Sequence, residues 1–205
     1  MEAYITVAIV AYVIGSINFA VIFSRKFAGF DVREKGSKNA GTTNVLRTVG
    51  KKVALLTLVC DILKGVAAIL AAILAKHVWE GLDITTLKYI AGFMVILGHT
   101  FPIFFEFRGG KGVATAIGVL LMLNWKIGLI CLVFGLLIIA FSKMVSLGSI
   151  SAAILFPVLT IFLQENVGLV GIVFSFLITG LVVFNHRSNI KRIKEGKENK
   201  LSLKK

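Results

Sequence analysis

Cysteines and acidic residues are scarce in this sequence, and both shortages narrow the class of protein. Cys60 and Cys131 are the two cysteines, and both lie inside apolar runs without CxxC spacing, so they are interpreted as small buried hydrophobes. The chain contains 10 acidic against 23 basic residues. It has no internal repeat, no low-complexity tract and no separate soluble domain, and no basic segment precedes its first apolar run. A cleaved signal peptide is therefore not expected.

Apolar sequence dominates instead, at 57% of residues and a mean hydropathy of +0.91. Long apolar runs recur from end to end, and a run near 20 residues matches the hydrocarbon thickness that a helix must cross. The sequence therefore predicts an all-α polytopic membrane protein. The expected spans are 3–23, 53–75, 89–107, 113–124, 127–141, 149–163 and 167–185.

The distribution of charge predicts seven spans with the N-terminus outside and the C-terminus in the cytoplasm. In that topology the cytoplasmic segments carry 19 of the 23 basic residues, as the positive-inside tendency requires. Joining one pair of spans, across 124–126 or across 164–166, would move the basic tail outside. The cytoplasmic segments are the first basic loop (24–52), the glycine loop (108–112), a short loop (142–148) and the tail (186–205).

Nucleic acid is not an expected partner, although the net charge is +13. The two strongly basic segments flank predicted membrane helices and do not interleave aromatic residues with their cations, as a single-strand binder would. A basic face of this kind suits anionic lipid headgroups or an anionic substrate.

Every motif-like stretch falls on the predicted cytoplasmic side. Serine, asparagine, threonine and glycine accompany the cations in each of them, which indicates a site formed where the loops converge. The alternative is a set of solvated loops that carry only the charge of the topology. The stretches are GSKNAGTTNVLRTVGKK (36–52), RGGKGVAT (108–115), SKMVSLGS (142–149) and NHRSNIKR (185–192).

These residue types match the needs of a phosphate ligand. Arg47 offers a planar fork of donors, and Lys111 offers a point charge. Three glycines in the glycine loop let backbone amides approach an anion, and a helix predicted from Val113 would add its N-terminal amides. The loop is neither a Walker loop nor a dinucleotide fingerprint. A flexible hairpin between spans is the alternative interpretation.

Neutral donors and one histidine complete the candidates in the loops. Ser37, Asn44, Thr115 and Ser142 are expected to hydrogen-bond a substrate. His186 and Asn189 follow the last span at i and i+3 and would share a face of a continuing helix. His186 is interpreted as a general base or phosphate donor, or alternatively as an interfacial histidine.

Three polar residues are predicted to lie deep in the membrane. Asp61 and Lys64, at i and i+3, are expected to form an ion pair. Asp61 lies about 12 Å and His99 roughly 13 Å from the cytoplasmic end of its own span at 1.5 Å per residue. The matching depths predict contact between them.

Taken together, four segments resemble the bacterial membrane glycerol-3-phosphate acyltransferase family that uses acyl phosphate as donor. The first helix departs from the family pattern, since Asn18 stands where the family usually has proline, which makes the local helix geometry uncertain. The matching segments are DVREKGSKNAGTTNVLRTVGKK with DILKG, GHTFPIFFEFRGGKGVAT, SKMVSLGSISAA and HRSNIKRIKEGKE.

The resemblance implies one integral-membrane acyltransferase domain (1–205) in the bacterial cytoplasmic (inner) membrane. It would move a fatty acyl group from acyl phosphate to the 1-hydroxyl of sn-glycerol 3-phosphate, giving lysophosphatidate and phosphate in the first acylation step of phospholipid biosynthesis. Expected partners are the two substrates, membrane lipid and the enzyme that supplies acyl phosphate; no cofactor or metal is expected. The implied catalytic residues are Lys111, His186 and Ser37, and the implied substrate-binding residues are Gly41, Asn44, Arg47, Gly109, Gly110, Gly112, Thr115, Ser142, Ser146 and Asn189.

Two points stay open at the level of sequence. The general base is either His186 or a substrate phosphate dianion, whose second pKa near 6 makes it usable. Two other functions compete with acyl transfer: a transporter or channel for a phosphorylated anion, which would place its site near the membrane midplane, and a scaffold that binds the lipid surface through its basic tail.

Overall fold

The computed structural model describes residues 1–165 and 167–201, and within these ranges the chain is helical with no β-strand. The all-α prediction is confirmed for this part of the chain. Two single-turn 3₁₀ helices cover Val32–Glu34 and Ile103–Phe105. The α-helices are α1 (Glu2–Ser16), α2 (Phe19–Ala28), α3 (Thr42–Thr48), α4 (Lys51–Val78), α5 (Ile84–Thr100), α6 (Val113–Leu123), α7 (Trp125–Ser142), α8 (Val145–Leu163), α9 (Leu169–Asn185) and α10 (Arg187–Lys194).

Each predicted span corresponds to helix, but the helices differ in length. Among the described residues, five helical stretches are long and apolar enough to cross a membrane, and α9 with α10, bent by 60°, would be a sixth. Helix α6 has only 11 residues, or roughly 16 Å against a hydrocarbon core of about 30 Å. The structure thus supports five or six spans by length and composition, and the count of seven and the orientation are carried forward as predictions.

Large apolar side chains cover the outer surfaces of the long helices. Leu74, Leu136, Phe162 and Phe176 are all more than half exposed. Apolar surface of this extent is uncommon on a soluble monomer, whereas helices in a bilayer present such side chains to lipid. The surface of the protein therefore agrees with the composition in indicating an integral membrane protein.

The first predicted span is interrupted near Asn18, the position at which the sequence departs from the family pattern. α1 ends at Ser16 and α2 begins at Phe19. Between them Asn18 is in an extended conformation, and its Oδ1 accepts a hydrogen bond of 3.1 Å from the Val21 amide, which caps α2. The prediction of one continuous helix over 3–23 is therefore wrong at this break, because the asparagine begins a new helix.

The other predicted breaks follow local chemistry. Asn124 caps α7 by accepting from the Ile127 amide at 3.3 Å, which confirms the break at 124–126. The predicted span over 89–107 is helical only to Thr100, where α5 ends, because Pro102 cannot continue the helix. α8 ends at Leu163 and α9 begins at Leu169; the predicted break at 164–166 includes residue 166, which lies outside the described residues.

Residues Met1–Leu123 form one compact unit in which α5 packs against α1 and α4, and α4 packs against α6. Glycines lie at these contacts. A side chain at Gly98 would overlap the Tyr12 carbonyl, and one at Gly118 would overlap the Ile62 carbonyl. Small residues let membrane helices approach closely, so α5 is held firmly at the end from which the glycine loop departs.

Residues Asn124–Lys205 form the second compact unit, in which α8 packs against both α7 and α9. A side chain at Gly148 would meet the carbonyl of Gly135 at 2.5 Å. The Thr179 hydroxyl donates to the Ala153 carbonyl at 2.7 Å. Close glycine contact and a hydroxyl bond between helices are the usual means by which apolar helices associate without water.

Candidate active site

Asn44 organises the first basic loop. Its side chain is 1% exposed. Its Oδ1 accepts from the Ser37 amide at 2.9 Å, and its Nδ2 donates to the carbonyls of Val32, Lys35 and Asn39 at 2.9–3.1 Å. One asparagine thus replaces the backbone pairing that the irregular loop lacks. In this arrangement it holds the loop in shape, and its contact with substrate stays a prediction.

The same loop presents two of the predicted polar residues at its surface. The Gly41 carbonyl accepts from the amides of Asn44 and Val45 at 3.0 and 3.1 Å, and so starts α3. Arg47 lies in the last turn of α3 and is exposed, as is Ser37. The structure therefore brings Ser37, Gly41, Asn44 and Arg47 into one ordered loop.

A buried ion pair joins this loop to the segment before the glycine loop. Arg33 donates to Asp31 through Nε and Nη2, at 2.9 Å for the latter. Its Nη1 donates to the Phe105 carbonyl at 2.8 Å and lies 3.5 Å from the Arg108 carbonyl. Asp31 also accepts from Arg25 at 2.8 Å. The first basic loop and the glycine loop are thereby fixed to one another.

Burial of Asp31 alone would raise the pKa of its carboxyl. Hydrogen bonds from the Arg33 side chain and amide and from Arg25 outweigh that effect and lower the pKa to about 2. The same pairing raises the pKa of the Arg33 guanidinium. Both shifts favour the charged form of the pair. Sequence reasoning missed it, because no periodicity or motif marks an Asp and an Arg two residues apart in a loop.

The glycine loop lies tightly against the end of α5. The Gly109 amide donates to the Thr100 carbonyl and the Gly110 amide to the His99 carbonyl, both at 3.1 Å. A side chain at Gly110 would overlap His99 Nε2 and lie 2.7 Å from the Ala40 carbonyl. These two glycines are required by close packing, and their amides donate to carbonyls of α5, which holds the loop in place. Their part in binding substrate stays a prediction.

Further backbone donors lie at the start of α6. Gly112 has φ +82° and begins the helix by accepting from the Ala116 amide at 2.8 Å. The predicted start at Val113 is confirmed. The amides of the first turn have no acceptor within the helix, and half-buried Lys111 lies directly before them. Thr115 is fully buried, and its hydroxyl has no hydrogen-bond partner among the described residues.

Three deep polar residues meet beneath this loop. Asp61 Oδ1 lies 2.9 Å from Lys64 Nζ and 3.6 Å from His99 Nδ1, so both predicted contacts are confirmed. Lys64 Nζ also donates to the carbonyls of Gly15 and Ile17, at 3.1 and 2.8 Å. Those carbonyls are released where α1 ends, and the ammonium group satisfies them in the apolar interior.

In the second unit, Glu198 gathers residues from α8 and from the tail. Its side chain is 3% exposed. It accepts from the Ser146 hydroxyl at 2.9 Å, from Asn189 Nδ2 at 2.7 Å and from Arg192 Nε at 2.9 Å. Burial opposes its ionisation, but these three bonds lower the pKa of the carboxyl. The sequence analysis missed Glu198, because the tail also contains Glu195 and nothing in the pattern separates them.

Ser142 is used to end α7. Its hydroxyl donates to the Ile138 carbonyl at 2.6 Å and accepts from the Met144 amide at 3.1 Å. The following Lys143 has φ +61°, and its carbonyl accepts from the Leu201 amide at 2.6 Å. The end of the described chain is thus fastened to the α7–α8 turn, and Ser142 shapes that turn.

His186 lies at the bend between α9 and α10 and is 3% exposed. Its Nδ1 is 2.7 Å from the Val182 carbonyl. Because a carbonyl only accepts, Nδ1 carries a proton in this arrangement. The bend means that His186 and Asn189 do not continue one straight helix, which differs from the predicted arrangement.

A sequence model of the family "Glycerol-3-phosphate acyltransferase" matches residues 5–196. Among named relatives, a glycerol-3-phosphate acyltransferase of Clostridioides difficile (strain 630) is 42% identical over 203 residues, covering 99% of this chain and 98% of that protein. One of Paraburkholderia phymatum is 44% identical over 201 residues, covering 97% and 93%.

Two crystal structures share the fold. Both are of PlsY (YgiH), an integral membrane glycerol 3-phosphate acyltransferase. The glycerol 3-phosphate form is 35% identical with a TM-score of 0.86, covering 97% of this chain and 96% of that one. The lysophosphatidic acid form is 33% identical with a TM-score of 0.83, covering 97% and 95%.

Proposed function

Because this chain belongs to the glycerol-3-phosphate acyltransferase family, we propose that it transfers a fatty acyl group from acyl phosphate to the 1-hydroxyl of sn-glycerol 3-phosphate. The products are lysophosphatidate and inorganic phosphate. The observation that carries the proposal is the match to PlsY, of which a glycerol 3-phosphate form and a lysophosphatidic acid form exist. These ligands are the acceptor and the product of such a transfer.

The setting proposed for the reaction is the bacterial cytoplasmic membrane. The chain acts there as one acyltransferase domain, with seven spans, its N-terminus outside, and its polar loops on the cytoplasmic face. The excess of basic residues in those loops supports this orientation. Phosphate groups of both substrates would bind in the loops, and the acyl chain would lie along apolar helix surfaces.

Acyl phosphate suits a site that offers positioning and charge. As a mixed anhydride it already carries a good leaving group, and the sequence has no G-x-S-x-G elbow. The glycerol oxygen attacks the acyl carbon and its proton passes to a base. The bond from the acyl carbon to the phosphate oxygen then breaks, and phosphate leaves. The protein must align the two reactants and stabilise the oxyanion that forms between these steps.

In the first unit, Lys111 and the first-turn amides of α6 are proposed to bind the acyl phosphate and its oxyanion. A cation beside helix N-terminal amides combines a point charge with directed donors. Arg47 and Ser37, exposed on the ordered first basic loop, are proposed to bind and orient substrate. Gly41, Asn44, Gly109, Gly110, Gly112 and Thr115 shape these surfaces.

In the second unit, His186 and Asn189 are proposed to contact substrate, with Ser142 and Ser146 shaping the turn before α8. Glu198 fixes Ser146 and Asn189 by direct hydrogen bonds. The Nδ1 contact with the Val182 carbonyl holds the His186 ring in one orientation. The histidine and a substrate phosphate are both retained as candidates for the base.

The variant His186→Ala separates these two candidates. If a substrate phosphate is the base, the KM for glycerol 3-phosphate rises at least about tenfold while kcat at saturation survives. If His186 is the base, kcat falls by about 10²–10⁴-fold. Steady-state kinetics with glycerol 3-phosphate varied to saturation distinguishes the two, and an unchanged kcat and KM would remove His186 from the site altogether.

Acyl transfer is preferred to transport of a phosphorylated anion, which would place its site near the membrane midplane. Of the deep polar residues, Asp61 is paired with Lys64, and Lys64 is bonded to two carbonyls. Purified protein in liposomes tests the choice. Formation of lysophosphatidate from external substrates without uptake of labelled glycerol 3-phosphate is expected. Uptake without acylation would reverse the proposal.

A further inference from the structure

His99 contacts the glycine loop through both its backbone and its ring. Its carbonyl accepts from the Gly110 amide at 3.1 Å, and the same carbonyl lies where a side chain at Gly109 would stand. On the other side, its Nε2 occupies the space that a side chain at Gly110 would need. The buried imidazole therefore packs directly against Gly110, and the His99 carbonyl packs against Gly109, the residue before Gly110.

The opposite edge of the same ring faces Asp61. Nδ1 is 3.6 Å from Asp61 Oδ1 and has no hydrogen-bond partner among the described residues. The carboxylate is thus the group toward which Nδ1 points, and a small rotation of the ring would form the hydrogen bond. Asp61 and His99 are 1% and 3% exposed, so solvent does not compete for this contact.

Lys64 pairs with the charge on Asp61 from the side of the break after α1. Its ammonium group lies 2.9 Å from Asp61 Oδ1 and donates to the Gly15 and Ile17 carbonyls. The carboxylate is anchored from α4 and directed at the ring on α5. A chain of contacts therefore runs from the break after α1, through Lys64 and Asp61, to His99 and the glycine pair.

Packing alone does not require these charges. Apolar residues of similar volume often stabilise a buried position as well as an ion pair does, and ionisable groups within membrane helices are costly. What apolar residues would not supply is a directed acceptor that fixes the rotation of the His99 ring. The orientation of the ring matters because the glycine pair directly precedes Lys111.

We propose that Asp61 and His99 are positioning residues, with Asp61 acting through the His99 ring to hold Gly109 and Gly110 in the conformation that presents Lys111 to the acyl phosphate. This inference rests on the proposed function of the glycine loop. A displacement near 1 Å at a reacting group lowers catalysis by about 10²-fold. If the ring is loosened but still contacts the loop, kcat/KM for acyl phosphate is expected to fall by about tenfold.

The test is a double-variant cycle on Asp61→Asn and His99→Leu, with kcat and KM measured separately for acyl phosphate and glycerol 3-phosphate. Each single variant is expected to lower kcat/KM for acyl phosphate by about tenfold or more. Because Asp61 acts through His99, the second change should add less than about threefold to the first. Should Asp61→Asn not fold, Asp61→Leu/Lys64→Met removes both charges and leaves none unpaired.

Thr57→Val is the matched control. Thr57 is fully buried one turn before Asp61, and its hydroxyl bonds only within its own helix, to the Val53 carbonyl. The control should keep kcat/KM within about twofold of the parent even if its Tm falls as far as that of Asp61→Asn. The inference would be overturned if folded Asp61→Asn had the kcat/KM of the parent protein. It would also be overturned if the loss in the double variant equalled the product of the losses in the two single variants.

The variant Lys111→Ala distinguishes failure of the positioning inference from failure of the proposed function. If that variant is inactive while Asp61→Asn is fully active, the positioning inference fails and the proposed function stands. If the parent protein does not use acyl phosphate, the proposed function fails and the inference fails with it.

Discussion

Replacing Lys111 with alanine is expected to abolish acyl transfer and to leave the helices folded. Lys111 is half-buried, precedes the first turn of α6 and follows the packed glycine pair. Loss of one preorganised donor to a developing oxyanion costs about 10²–10³-fold in kcat. Lys111 is also proposed to bind the leaving phosphate, so the loss should reach at least that range. The measurement is kcat with acyl phosphate at saturation, together with circular dichroism of the purified variant.

Lys111→Arg and Lys126→Ala are informative controls. Arginine keeps the charge but replaces a compact ammonium by a longer planar fork, so partial activity is expected. Lys126 is an exposed cation in the second residue of α7, and its removal should leave turnover unchanged. A folded Lys111→Ala protein with normal turnover would remove the glycine loop from the mechanism.

Replacing Glu198 with alanine is expected to have the second large effect, a loss of activity of roughly 100-fold together with a lower Tm. Ser146, Asn189 and Arg192 each lose their partner at once, and two of these residues are proposed to shape or bind the substrate. A buried hydrogen bond to a charged group contributes about 1.5–3 kcal/mol. The readouts are kcat/KM for both substrates and the thermal unfolding midpoint.

Acid should reproduce part of this effect. The pKa of Glu198 is lowered by folding, so its bonds stabilise the protein fully above the unfolded pKa of about 4.3. That stabilisation is lost as the pH falls through the lower folded pKa. Glu195→Ala is the matched control, because Glu195 is an exposed acid of the same tail, 3.7 Å from Lys197, and such surface pairs contribute little. Equal Tm and activity for Glu198→Ala and Glu195→Ala would contradict the assigned role.

The helices could be predicted because apolar length and polar interruptions are local properties. Asn124 marked a break through its own chemistry. The break after Ser16 was different, since the apolar run continues through it. It depends on Asn18 capping α2 and on Lys64, 46 residues further along the chain, satisfying the Gly15 and Ile17 carbonyls. A long-range partner of that kind leaves no mark in a local pattern.

The candidate site could be predicted by residue type but only partly by role. The sequence identified Asn44 and the glycine pair as polar or flexible positions facing a ligand. In the structure, the Asn44 side chain hydrogen-bonds the backbone of its own loop. The Gly109 and Gly110 amides donate to carbonyls of α5. Which way a donor points depends on tertiary packing. For the same reason the Arg33 and Glu198 contacts could not be anticipated, because their partners come from other elements.

The most direct test of the account is the stoichiometry of acyl transfer by the purified protein. With acyl phosphate as donor, phosphate release should depend on glycerol 3-phosphate, and one phosphate should appear for each lysophosphatidate formed. An acyl thioester of the same chain length should give no product. Acylation from the thioester alone, or phosphate release that does not depend on glycerol 3-phosphate, would contradict the proposed reaction.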